Sequence, residues 1–189
     1  MTAPRRTPAG RRRSAPYACN NVCAMRITET IAYAAPPETV YAMVTDRAFQ
    51  ERKCVEAGAQ RHEAAVSPAG DGARVVTKRD LPADNLPDFA KSIVGPTLSV
   101  TETYEWAAAA GDGGRDGTLV VEVAGAPVAL RSKIRLAPSR GGSEITIDGD
   151  LKASIPLFGG KVEKAAAPAV IEAIRSEQRT GTAWLSERG

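Results

Sequence analysis

At 189 residues, with 43% hydrophobic and 5% aromatic content, the chain is long enough to bury one sizeable core and short enough to favour a single domain. The formal net charge is +3, but Arg5, Arg6, Arg11, Arg12 and Arg13 lie in the first 24 residues without an acid, and setting those five aside leaves −2 for residues 25–189. Basicity confined to a tail argues against a nucleic-acid surface on the fold, and no stretch reaches the ~18 consecutive apolar residues of a membrane span, because Glu122 and Glu172 interrupt the best candidates.

Residues 1–24 are rich in Pro, Arg, Ala and Ser and show no apolar periodicity. Such a composition cannot bury enough apolar surface to offset its ordering entropy, so a disordered extension is expected, with a functional basic arm as the competing reading. Met25 is an alternative chain start. No apolar stretch of ~7 to 15 residues follows the paired arginines, so no signal peptide is read and a cytoplasmic location is expected. Cys19 and Cys23 match no common zinc spacing, Cys54 stands alone, and His62 is the single histidine. Neither a disulfide framework, a metal site nor a cofactor is expected.

From Met25 the pattern becomes structural. Ile27, Glu29, Ile31 and Tyr33 share one face of a first strand. Pro36-Pro37-Glu38 opens a helix, with proline and an acid suited to its first turn, and Asp46 is placed to cap a second short helix that ends near Gly58. Two shorter strands are expected around 60–66 and 74–80, joined by a turn over Pro68 to Gly72. Leu81 to Pro96 is punctuated by Pro82, Pro87, Gly95 and Pro96 yet carries Leu86, Phe89, Ile93 and Val94, and an apolar connection of that length often covers something.

Regular alternation begins at Thr97. Leu98, Val100, Glu102, Tyr104 and Trp106 form one row; Leu119, Val121 and Val123 a second; Val128, Leu130, Ser132, Ile134 and Leu136 a third; Ile145, Ile147, Gly149, Leu151, Ala153 and Ile155 a fourth. Together they predict one apolar sheet face. On the other face, a hairpin near Gly141-Gly142 would set Arg131 opposite Asp150 and Lys133 opposite Asp148, a self-paired surface rather than a phosphate site. The last segment is helical, with Val162, Ala166, Ala169, Val170, Ala173, Ile174 and Trp184 on one stripe and Pro168 inside it, where it would bend the helix or weaken a turn. A stripe so rich in alanine either lets the helix approach the sheet closely or leaves space beneath it.

The order strand, two helices, six strands, long helix resembles the START-like, helix-grip superfamily, also called SRPBCC, over roughly residues 25–186. Leu86-Pro87-Asp88-Phe89, Val94-Gly95, Glu105-Trp106, Val123-Ala124-Gly125-Ala126-Pro127, Ile155-Pro156-Leu157-Phe158-Gly159-Gly160-Lys161-Val162-Glu163 and Trp184-Leu185 are similar to a branch known as a domain of unknown function. The resemblance implies an α+β helix-grip fold. In it a curved, seven-stranded antiparallel sheet wraps around the C-terminal helix and encloses a cavity, which in relatives holds lipids, polyketides, sterols or other apolar molecules. The Arg-rich tail and Pro168 depart from that pattern.

The expected site is the space between sheet and helix. It draws Leu98, Val100, Glu102 and Tyr104 from the first regular strand, and Val121, Leu130, Ile134 and Ile147 from the next three. The helix supplies Ala166, Ala169, Val170, Ala173 and Glu177, and the covering segment supplies Phe89. Glu29, Glu102 and Glu177 stand where the pattern wants apolar groups, and a buried carboxylate without partners is costly. They are bonded to Arg79, Lys78, Tyr33, Tyr104 or water, or a bulge turns them outward, or they anchor a ligand, or they act as acid and base. Binding of a small apolar or lipid-like molecule is the leading function, with no nucleic acid and no stable membrane insertion. A cyclase, dehydratase or hydrolase using those carboxylates, and a protein-interaction module with a filled cavity, are the alternatives. The sequence leaves the oligomeric state open.

Overall fold

The computed structural model describes residues 24–84 and 86–188. The expected tail, with Cys19 and Cys23, lies outside the described residues apart from Ala24.

Strand β1 (Met25–Tyr33) is followed by helices α1 (Pro37–Val44) and α2 (Arg47–Glu56). Pro37 occupies the first position of α1, where its missing N–H costs nothing. Asp46 caps α2 as expected, accepting from the Ala48 amide at 2.7 Å and the Phe49 amide at 3.4 Å. Gln50 Nε2 donates to the Val44 carbonyl at 2.7 Å, which ties the two helices together. One face of α2 is buried and carries Phe49, Gln50, Lys53 and Cys54.

Six further strands complete the sheet: β2 (Arg61–Ala69), β3 (Gly72–Pro82), β4 (Thr97–Trp106), β5 (Arg115–Val123), β6 (Val128–Ser139) and β7 (Gly142–Ala153). They pair antiparallel throughout in the order β1-β7-β6-β5-β4-β3-β2. A short helix α3 (Asp88–Val94) interrupts the connection from β3 to β4, and α4 (Gly159–Arg188) closes the chain. This is the seven-stranded helix-grip architecture.

The first hairpin runs further than the sequence pattern suggests, because Pro68 lies inside β2 opposite Ala73. An edge strand tolerates proline, whose missing N–H can face solvent, and β2 is an edge. The β6–β7 register does set Arg131 opposite Asp150 and Lys133 opposite Asp148. The side chains nevertheless pair elsewhere: Asp148 and Asp150 take Arg26 of β1, and Arg131 takes Glu122 of β5. The surface is self-neutralised by different partners from those expected.

Helix α4 runs unbroken through Pro168. Proline has no N–H, so the Lys164 carbonyl lacks its helical donor there. The core gathers under the second half of α4, where Tyr33, Val40, Phe49, Trp106, Ile134, Leu136, Ile145, Ile147 and Trp184 pack together. Phe49 and Trp184 meet edge-to-face with centroids 5.5 Å apart. Gly181 is required for that fit, since a Cβ there would stand 2.6 Å from the Tyr33 ring.

Candidate functional site

Between the sheet and the first half of α4 lies a cavity of about 210 Å³. Its floor is the alternating inner face of β4, β5 and β6, with Leu98, Val100, Val121, Val123, Val128 and Leu130, and Leu151 from β7. Its roof is helical, with Val162, Ala165, Ala166, Ala169, Val170 and Ala173. Leu86, Pro87, Ala90 and Val94, from the connection that holds α3, close one side, so the apolar 81–96 segment does cover this space. Ala169 and Ala173 line the cavity and remain exposed, so the space opens along that edge of α4.

One end of the cavity is polar. Lys53 of α2, Arg79 of β3, Glu102 and Tyr104 of β4, and Glu177 of α4 meet there, each no more than 7% exposed. Lys53 Nζ donates to Glu102 Oε2 at 3.0 Å and to Glu177 Oε2 at 3.3 Å, joining strand and helix through one cation. Tyr104 donates its hydroxyl proton to Glu177 Oε2 at 3.0 Å. Arg79 Nη2 donates to Glu102 Oε1, and Thr77 Oγ1 donates to Glu102 Oε2 at 3.4 Å. Among the described residues, Arg79 Nε is buried without a hydrogen-bond partner.

These contacts decide the protonation states. Burial pushes the Glu102 carboxyl up, but the charges of Arg79 and Lys53, with their hydrogen bonds, outweigh it and lower the group to about 2. Burial opposes the Lys53 charge, and Glu102 and Glu177 more than restore it, leaving the ammonium above its ordinary range. Tyr104 is raised by burial first and then by Glu177 and Glu102, so it stays a phenol. Burial likewise raises the Cys54 thiol, which leaves it a core residue.

Eleven of the fourteen residues expected from the sequence line this cavity: Leu98, Val100, Glu102, Tyr104, Val121, Leu130, Ala166, Ala169, Val170, Ala173 and Glu177. Three lie elsewhere. Ile134 and Ile147 face each other across β6 and β7 in the packed core, at 1% and 2% exposure. Phe89 sits on α3 with Lys161 Nζ 4.9 Å from its ring centroid. Glu29 is half-buried on β1 opposite Ile147, away from the polar end.

Lys53 was absent from the sequence expectation, although Arg79 and Tyr104 were named as partners for the carboxylates. A signal existed: Phe49 and Lys53 are four residues apart, on one face of a helix whose Phe must point inward. Two inward acids also require inward cations.

A seven-stranded antiparallel sheet holding a long C-terminal helix over a partly open cavity defines the START-like helix-grip, or SRPBCC, fold. Solved structures share it at low sequence identity. They include the Zhui aromatase/cyclase from Streptomyces sp. R1128 (TM-score 0.57, 10% identity, 87% of this chain and 94% of that one). The STAR-related lipid transfer protein fragment from Xanthomonas axonopodis matches with TM-score 0.54 and 12% identity over 85% of each chain. A START superfamily protein from Mycobacterium smegmatis matches with TM-score 0.52 and 14% identity, over 85% of this chain and 98% of that one.

Within that fold, residues 28–185 match the family described as Protein of unknown function (DUF2505), and the chain belongs to it. An uncharacterized protein of Mycobacterium tuberculosis is 29% identical over 118 residues, which is 59% of this chain. The match spans 65% of that relative's length.

Proposed function

We propose that the domain reversibly binds a small, largely apolar molecule in the cavity between β4–β6 and α4. The observation that carries this reading is the unfilled space of about 210 Å³, apolar over most of its wall and polar at one end. Binding sites of small molecules have that composition: apolar walls for affinity and a few placed polar groups for orientation. The same space weighs against an interaction module whose cavity is filled by its own side chains.

The charge pairing also favours binding over chemistry. A general acid needs a carboxyl poised near neutral pH, whereas Glu102 is held at about 2 by Arg79 and Lys53. Lipid transfer and aromatase/cyclase activity are named for structural neighbours, and this chain shares their fold. In this reading the domain works in the cytoplasm without cofactor or nucleic acid. No helix among the described residues is long and apolar enough to cross a membrane.

The test is uptake of toluene, followed by saturation-transfer NMR. The wild type should take it up saturably. Ala169→Trp should fold and lose that uptake, because its indole would project into the opening beside α4. A wild type that takes up no toluene overturns the reading. Native mass spectrometry of the purified protein should also show a co-purified small molecule.

A further inference from the structure

We infer that the cavity selects an uncharged alcohol or phenol, no larger than one ring with a short side chain, whose hydroxyl donates to Glu177. The inference rests on the binding reading above and adds three limits to it.

Size is the first limit. A dry cavity of about 150 Å³ holds benzene, and this one measures about 210 Å³. One ring with a short substituent, or an open chain of similar volume, fills it. A lipid with two long chains would leave most of its length outside, beyond the edge where the cavity opens.

Charge is the second. Lys53 and Arg79 are balanced by Glu102 and Glu177 through direct ion pairs. A carboxylate, phosphate or ammonium on the ligand would enter an already neutral, buried cluster and remain uncompensated, which is costly. The polar group that fits is neutral.

Hydrogen bonding is the third. The contacts of Lys53 Nζ go to Glu102, Glu177 and the Tyr104 hydroxyl, and Glu102 accepts from Lys53, Arg79 and Thr77. Glu177 differs: Tyr104 and Lys53 both use its Oε2, and Oε1 has no partner among the described residues. Its side chain is nine-tenths buried and lines the cavity. In its contacts with Lys53 and Tyr104 this carboxylate acts as the acceptor, so the ligand must donate. A hydroxyl has that proton to give and brings no charge into the neutral cluster, whereas an ammonium brings one.

Calorimetric titration of the full chain with para-propylphenol, propylbenzene and para-propylbenzoate tests these limits, beside a transfer assay with phosphatidylcholine vesicles. The phenol should bind about tenfold to a hundredfold more tightly than propylbenzene, the span of one hydrogen bond to a charged group. It should exceed the benzoate by at least as much, and no phosphatidylcholine should be carried. Glu177→Gln should shrink the preference for the phenol over propylbenzene, since the amide keeps the shape but removes the charged acceptor. Equal affinity for phenol and propylbenzene, tighter binding of the benzoate, or phosphatidylcholine transfer would each overturn the inference. Saturable toluene uptake in those cases would leave the broader binding reading standing, and its absence would remove both. The wild-type ligand series decides the matter without the variant.

Discussion

At one end of the molecule the second half of α4 sets Gly181 against Tyr33 and Trp184 against Phe49, and aromatic rings fill the space between helix and sheet. At the other end the first half of the same helix sets Ala165, Ala166, Ala169 and Ala173 over β4, β5 and β6, and the space stays open. Backbone architecture is common to both ends, so side-chain volume decides which is solid and which is hollow. The cluster of Lys53, Arg79, Glu102, Tyr104 and Glu177 lies at the boundary, where it braces α2 and α4 against the sheet and lines the polar end of the cavity.

The most damaging change should strike that boundary. Lys53→Met removes the cation shared by Glu102 and Glu177, leaving buried carboxylates undercompensated at a cost of about 3–5 kcal/mol. Glu102→Gln should fall in the same range, because it strands Arg79 and Lys53. Urea denaturation measures both, and losses below about 1 kcal/mol would mean that the cluster behaves as an exposed pair.

Adding volume separates the two ends directly. Gly181→Val drives a branched side chain into the buried Tyr33 ring and should cost about 1–3 kcal/mol or more. Ala169→Leu enters open space and should change stability by no more than about 0.5 kcal/mol. Similar losses at both positions would erase the contrast.

The boundary should also set the pH limits of the fold. Glu102 titrates at about 2 in the folded protein against 4.5 unperturbed, so its stabilisation is present above about 4.5 and disappears as pH falls toward about 2. Tyr104 is raised above its ordinary 10.0 and Lys53 above its ordinary 10.5, so their contributions are present below those values and fade as pH rises past them. Melting temperature against pH should therefore be flat between these limits, and Glu102→Gln should blunt the acid limb.

Deleting residues 1–24 should have the smallest effect, within about 0.5 kcal/mol, since the tail offers no apolar face. Salt-sensitive DNA binding should disappear with it. DNA binding that survives deletion would place a nucleic-acid surface on the domain.

Much of the fold was legible because strand alternation is a local signal: the rows from Leu98 to Ala153 follow from spacing alone. Pro36, Asp46 and Gly58 likewise announced the short helices through backbone chemistry. Alternation tells which face a residue occupies but not where along the sheet the helix presses down. Ile134 and Ile147 were therefore expected in the cavity and lie in the solid end. Lys53 was hidden for another reason. A lysine in a short, polar helix reads as a solvent-facing residue, and only the tertiary placement of Glu102 and Glu177 draws it inward. Phe89 belongs to a helix too short to show a period, so its direction could not be read.

The contrast between a solid and a hollow end is tested most directly by methyl NMR of the labelled full chain during titration with toluene. Saturable shifts should appear at Val121, Leu130, Val162 and Val170, which line the cavity, while Ile27, Ile134, Ile145 and Ile147 in the packed core hold their positions. Shifts at the isoleucines instead, or no saturable shift at any of these methyls, would contradict the account.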